Sequence, residues 1–138
     1  MKNKKAFSLN LEEKVLWVRA DGVWNERTAN DYVQEFRHLV KPIVAEPWAV
    51  VLDIRHWQLS PAGVFSLLKD NTRWCFEHNL RHVETIYADN AVVMWQFVKA
   101  TEVAARPVDL VSQVATSEAA AREVLQAAGF LTDKSAAR

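Results

Sequence analysis

Cysteine and glycine are scarce in this chain, and its charges balance. Cys75 is the single cysteine among 138 residues, which excludes an internal disulfide and fits a reducing compartment. Seventeen basic residues oppose seventeen acidic ones, so no net field attracts nucleic acid or an anionic membrane. Three glycines are too few for a phosphate-binding loop or a dinucleotide fingerprint. We therefore expect no nucleic-acid partner and no nucleotide cofactor.

Long apolar runs are also missing. No stretch approaches membrane-spanning length, and the basic start from Met1 to Lys5 is followed by alternating residues, not by the continuous apolar core of a signal peptide. We expect a cytoplasmic protein without membrane insertion. The length and the 50% apolar content predict one domain over residues 1–138, ordered from about residue 6 to 131 and frayed at its C-terminal tail.

The most informative segment that the chain does contain runs from Trp48 to Leu68. Its apolar run up to Ile54 is continuous, as in a parallel strand buried on both faces. Ser60 followed by Pro61 is typical of an N-cap and a first helical residue, which predicts a helix from there to about Asn79.

The periodicity of the remaining sequence predicts about five strands and four helices. The other expected strands are Phe7–Leu11, Val15 up to Asp21-Gly22, Val83–Ala88 and Val108–Ala115. The other helices run from Asn25 or Thr28 to near Pro42, from Asp89 or Asn90 to Pro107, and from Ala119 to Ala128, the last capped by Thr116 or Ser117. The first two strands form a hairpin, and three βα units follow. We predict an α/β fold with a mostly parallel sheet, an N-terminal antiparallel hairpin and right-handed crossovers.

This order of elements resembles the STAS family of anti-sigma-factor antagonists and their single-domain bacterial relatives. The residues involved are Val15–Gly22, Thr28–Val40, Val50–Ile54 and Ser60–Leu68, and the likeness covers roughly Phe7 to Gly129. In the antagonists, the helix after the third strand opens with an acidic residue, a phosphorylated serine, one small residue and glycine. The resemblance implies a regulatory or protein-interaction module without catalysis.

The phosphorylation motif itself departs from the family pattern. Ser60, Pro61 and Ala62 precede Gly63, so that proline occupies the position of the phosphorylated serine. Proline has no hydroxyl to accept phosphate. Ser60 is one residue away, and we interpret it as a helix cap and not as a displaced phosphosite.

Two groups of residues have the composition of a chemical site. Cys75, His78 and His82 have spacings that resemble metal ligation, but a helix stop at Asn79 would separate the two histidines and no fourth ligand is near. Asp53, His56 and Ser60 have the residue types of a hydrolase triad, but no glycine-flanked turn positions the serine. We therefore expect no metal, no cofactor and no enzyme activity.

The six tryptophans are unusual for a chain of this length. We expect Trp17, Trp48, Trp74 and Trp95 to pack in the core or at its margin. Trp24 and Trp57 fall in predicted strand-to-helix loops, where they either fold back over a sheet or helix end or form binding surface.

The residues leave three functions open. The first is a STAS-like module that binds a protein partner or a second copy of itself, with candidate contact residues Trp24, Arg55, His56, Trp57, Ser60 and Asp89. The second is a carrier or sensor of a small apolar molecule, because single-domain relatives resemble lipid-binding folds. That function requires an apolar cavity of at least about 300 Å³ lined by Trp or Phe. A small hydrolase using Asp53, His56 or Ser60 is a third and weaker hypothesis.

Overall fold

The computed structural model describes residues 6–58, 60–87 and 89–133. In these ranges the elements are β1 (Phe7–Glu12), β2 (Val15–Gly22), α1 (Glu26–Val40), β3 (Trp48–Trp57), α2 (Ala62–Glu77), β4 (Leu80–Ile86), α3 (Ala91–Thr101), β5 (Val111–Val114) and α4 (Glu118–Ala127). The basic N-terminal segment, the predicted strand end at Ala88 and the predicted frayed tail from residue 134 lie outside the described residues. None of the helices described has the length and apolar character that a bilayer crossing requires.

The strands form one sheet in the order β1-β2-β3-β4-β5. β1 and β2 are antiparallel, and each later pair is parallel. Parallel neighbours need a crossover connection, and α1, α2 and α3 supply one each. The predicted α/β class, with its N-terminal hairpin, five strands and four helices, is confirmed.

β3 is the central strand, and both of its faces are covered. In register, Leu16 of β2 and Val83 of β4 lie beside Val50. Val50 and Ile54 belong to the large core under α1, α2 and α3, whereas Val51 belongs to the smaller core under α4. The continuous apolar run in the sequence follows from this burial on two sides.

Three of the helix caps agree with the sequence. The side chains of Asn25, Asn90 and Ser117 each accept a backbone N–H in the first turn of α1, α3 and α4. Gly129 follows α4 with a φ of +90°, a conformation that favours glycine and ends the helix as expected.

The predicted cap at Ser60 is wrong. α2 begins at Ala62 with Pro61 in the N-cap position and with no side-chain cap. The Ser60 hydroxyl instead accepts the backbone N–H of Trp24 at 3.1 Å, a contact 36 residues away in sequence. Ser60 thus makes a long-range hydrogen bond in place of the local helix cap that its sequence context predicts.

Several element boundaries also differ from the prediction, among them the start of β4, which is Leu80 and not Val83. β3 continues past Ile54 to Trp57, because Asp21 and Gly22 of β2 pair with its last residues beyond a bulge. β5 begins at Val111 and not at Val108, since a turn that includes Pro107 precedes it. α3 ends at Thr101, well before Pro107, and the next residue is already extended.

The outer part of β3 carries a buried carboxylate with its own arginine. Asp53 is 3% exposed and accepts hydrogen bonds from Arg55 Nε at 3.0 Å and from Arg55 Nη2 at 2.7 Å. Burial alone would raise the pKa of Asp53, but the hydrogen bonds and charge of Arg55 outweigh it and hold the pKa below the ordinary value of 3.8. The pair keeps a charged residue stable inside the sheet.

Replacing Arg55 with alanine should destabilise the fold by about 1 to 3 kcal/mol at neutral pH, because the Asp53 carboxylate loses its partners while it stays buried. A group with a lowered pKa in the folded state adds stability above its unfolded pKa, and that stability is lost as the pH falls through the folded value. The difference in free energy of unfolding between Arg55→Ala and wild type, measured by urea denaturation, should therefore decrease as the pH falls below about 4.

Arg106→Ala is the matched control, since Arg106 is exposed and has no ion pair in the described part of the chain. It should change the free energy of unfolding by less than about 0.5 kcal/mol. If the loss of unfolding free energy in Arg55→Ala stayed constant from pH 7 to pH 3, the charge of Asp53 would not be its cause.

Candidate functional site

An apolar cavity of about 290 Å³ lies between the sheet and the helices α1, α2 and α3. Its lining includes seven aromatic side chains: Trp24, Tyr32, Phe36, Trp57, Phe76, Tyr87 and Phe97. The lining also includes exposed residues at one end, namely Val98, Glu102, Arg106 and Ser112, so the cavity reaches the surface beside α3 and β5. This volume lies close to the lower limit of ordinary small-molecule sites.

Trp24 lies in the loop between β2 and α1 and is 2% exposed. Its indole N–H donates to the carbonyls of Ala6 at 3.1 Å and Asp21 at 3.2 Å, and its ring lies 4.9 Å from that of Tyr32. The polar end of the indole is thus bonded to the backbone while its apolar body faces inward.

Trp57 is the last residue of β3 and is 3% exposed. Its ring meets those of Trp24 and Phe97 nearly at right angles, with centroids 6.4 Å and 5.8 Å apart. Trp24 and Trp57 therefore fold back and line the cavity. Of the two alternatives that the sequence leaves open for them, folding back is the one observed, and the parallel pairing that extends β3 places Trp57 in the core.

Ser60 joins the loop after β3 to two other parts of the fold. It is 8% exposed, and besides the bond to the Trp24 N–H its backbone exchanges two hydrogen bonds with the Gln96 side chain of α3, at 3.0 Å and 2.9 Å. Its hydroxyl also donates to the Gln58 carbonyl at 3.2 Å. These contacts fix the loop against Trp24 and α3 and leave the hydroxyl little access to solvent.

The residues of the hypothetical hydrolase triad do not meet. Asp53 is bound to Arg55, His56 is exposed, and Ser60 bonds only to backbone and to Gln96 among the described residues. No hydrogen bond in that part of the chain joins any two of the three. Asp53 lies instead on the α4 side of the sheet, in a polar groove that Arg19, Glu118 and Arg122 also line.

Arg55 and Asp89, the two remaining candidate residues, lie apart from the cavity wall. Arg55 is exposed, and its guanidinium donates hydrogen bonds to the Asp53 carboxylate. Asp89 is exposed in the bend before α3, and in the described ranges no hydrogen bond or ion pair links it to Arg55 or His56. Neither lines the cavity.

The metal-like residues each have another partner. Cys75 is buried on α2 and lines the cavity, and burial raises the pKa of its thiol. His78 lies at the end of α2, where its Nδ1 is 2.7 Å from the Trp74 carbonyl oxygen. His82 Nε2 lies 2.6 Å from Glu84 Oε2. Among the described residues no group of three or more His, Cys, Asp or Glu side chains is placed to hold a metal ion.

Sequence reasoning missed two features of the sites. Glu84 is 1% exposed beneath α4, and its Oε1 has no hydrogen-bond partner among the described residues.

Trp95, expected in the core or at its margin, is 61% exposed. Val92 and Val98 lie three residues to either side of Trp95 on α3, so the three form one exposed apolar face. The even spacing of these apolar residues was the available signal.

Solved structures match the chain in fold, whereas no family model matches it and no curated protein matches its sequence. An uncharacterized protein from the DUF3478 family, from Shewanella loihica PV-4 and with a SpoIIAA-like fold, superposes with a TM-score of 0.67 and 10% identity over 91% of this chain and 98% of that chain. The anti-sigma factor antagonist SpoIIAA in its unphosphorylated form superposes with a TM-score of 0.61 and 8% identity over 88% of this chain and 98% of that chain. The chain therefore has the SpoIIAA-like fold that its resemblance to STAS domains predicts.

Proposed function

We propose that this chain is a non-catalytic STAS-like module that binds a small apolar molecule in the cavity under α1, α2 and α3. The observation that carries the proposal is the cavity of about 290 Å³ with Trp24 and Trp57 on its wall. Protein cores are normally packed with few voids larger than a water molecule. A cavity with this aromatic lining costs stability and is a natural site for an apolar guest.

The surroundings of Ser60 support a module without the phosphoserine switch. Its buried hydroxyl is engaged with the Trp24 N–H and the Gln58 carbonyl, and proline follows it. A phosphate there would have to break both bonds and bring charge into a buried loop. We propose that occupancy of the cavity, and not phosphorylation of this loop, is what the module responds to. The proposal keeps the bacterial, cytoplasmic setting that the sequence suggests.

Val83→Phe should fill the cavity and prevent binding of an apolar probe. Val83 lies on β4 and lines the cavity. With naphthalene as the probe, isothermal titration calorimetry should show saturable binding to wild type and at least about tenfold weaker binding to Val83→Phe, because the added ring occupies the same space.

Val111→Phe provides the matched control. Val111 lies on β5 and pairs with His82 of β4. It is 43% exposed and does not line the cavity. The same substitution there should leave naphthalene affinity within about twofold of wild type, since no cavity volume is lost. Equal losses in the two variants, or no binding by wild type, would contradict the proposed function.

A second candidate function is self-association through α3. The exposed face made by Val92, Trp95 and Val98 is apolar, and the neighbouring strand β5 is at the edge of the sheet with all four residues exposed. Exposed apolar surface next to an unpaired strand edge is typical of an interface. We propose a homodimer as the form that would cover it, and a different protein partner is the alternative.

Trp95→Ala should weaken this self-association by about 30-fold or more, as expected for a central tryptophan in an interface. Sedimentation velocity over a range of protein concentrations measures the dissociation constant directly. Trp74→Ala is the control, because Trp74 stacks on His78 within its own helix and lies outside the α3 face. Wild-type protein that stays monomeric at about 100 µM, or equal effects of the two substitutions, would reject the dimer.

A further inference from the structure

The side of the cavity formed by α1 and α2 carries a small buried polar patch, distinct from the charged residues Glu102 and Arg106 at the exposed end. Tyr32 comes from α1, and Asn71 and Cys75 come from α2. All three are at least nine-tenths buried, with exposed fractions of 6%, 5% and 2%. A buried polar group without a hydrogen bond costs free energy, so we expect the polar groups of this patch to have hydrogen-bond partners.

The Tyr32 hydroxyl lacks a hydrogen-bond partner within the described part of the chain. Its ring is held in place by Phe7, Trp24 and Phe36, at centroid distances of 5.6 Å, 4.9 Å and 5.6 Å. The hydroxyl is not sealed inside packed protein, since the one fully enclosed and unpaired side-chain atom among the described residues is Glu84 Oε1. The open side of the Tyr32 hydroxyl therefore faces the cavity that Tyr32 lines.

The neighbouring groups of the patch are uncharged donors. Asn71 Oδ1 accepts from Arg37 Nε at 3.0 Å, which leaves the amide NH₂ of Asn71 as a donor. Burial raises the pKa of both Tyr32 and Cys75, so the hydroxyl and the thiol stay protonated. The Arg37 guanidinium is itself paired with Asp70 at 3.1 Å and is not part of the cavity lining. No full positive charge lines this inner end to receive an anion.

We infer that the ligand of this cavity is an uncharged apolar molecule with one hydrogen-bonding oxygen at its inner end, and that the Tyr32 hydroxyl pairs with that oxygen. This inference rests on the proposed function. A hydroxyl or carbonyl oxygen accepts from Tyr32 and can also meet the Asn71 NH₂ group, while the rest of the molecule lies among the aromatic rings. A carboxylate at the same position would be desolvated, and the nearest guanidinium, that of Arg37, is already paired with Asp70. Tyr32 is thus a specificity-determining residue and not merely a part of the core.

The test compares two probes that differ by one hydroxyl group, naphthalene and 2-naphthol, by isothermal titration calorimetry at neutral pH. Wild-type protein should bind 2-naphthol about fivefold to tenfold more tightly than naphthalene, the effect of one added hydrogen bond to a group otherwise left unpaired. Tyr32→Phe should reduce this preference to about one while leaving naphthalene affinity unchanged. Its melting temperature should not fall, because the ring contacts remain and no hydrogen bond to a described residue is lost.

Tyr87→Phe is the matched control, since Tyr87 is the other tyrosine of the chain and also lines the cavity. This variant should keep the fivefold to tenfold preference. Equal affinities of wild type for the two probes, or loss of the preference in Tyr87→Phe and not in Tyr32→Phe, would overturn the assignment of Tyr32 while leaving the cavity as a binding site. Failure of wild type to bind either probe would contradict the proposed function itself.

Discussion

The edge-to-face arrangement of aromatic rings around Trp24 and Trp57 is the constraint on which the rest of the site depends. The two indoles meet at 87° and Phe97 meets Trp57 at 82°, whereas the Tyr32 ring is tilted by 53° against Trp24. Rings held edge to face are favourable pairs, but large rigid side chains at such angles cannot fill the space between them completely. The hydrogen bonds from the Trp24 indole N–H to the carbonyls of Ala6 and Asp21 fix the orientation of its ring. The cavity therefore follows from the packing that closes the core.

Ser60, in the loop after β3, has a structural role. Ser60 connects the Trp24 backbone to the Gln96 side chain of α3, so the loop holds two walls of the cavity in place. Pro61 then directs the chain into α2 without a side-chain cap. A fold shared with an anti-sigma factor antagonist is thus combined with a loop whose hydrogen bonds favour a fixed geometry.

The sequence predicted the fold well because local chemistry and burial agree along most of the chain. The continuous apolar run of β3, the caps Asn90 and Ser117 and the stop at Gly129 each carry their own local signal. Ser60 was misassigned because its true partner lies 36 residues away in sequence. Tyr32 was overlooked although it lies three residues after Ala29 on the buried stripe of α1. Whether its hydroxyl meets protein or empty space depends on packing across three elements, which no local pattern encodes.

Xenon binding in a crystal tests the central claim most directly, because this atom enters accessible apolar cavities and needs no knowledge of the natural ligand. A crystal structure of the protein under xenon pressure should show xenon density within van der Waals contact of Trp24 and Trp57, beneath α2 and α3. A core whose side chains fill that space, with no xenon beside either tryptophan, would contradict the account.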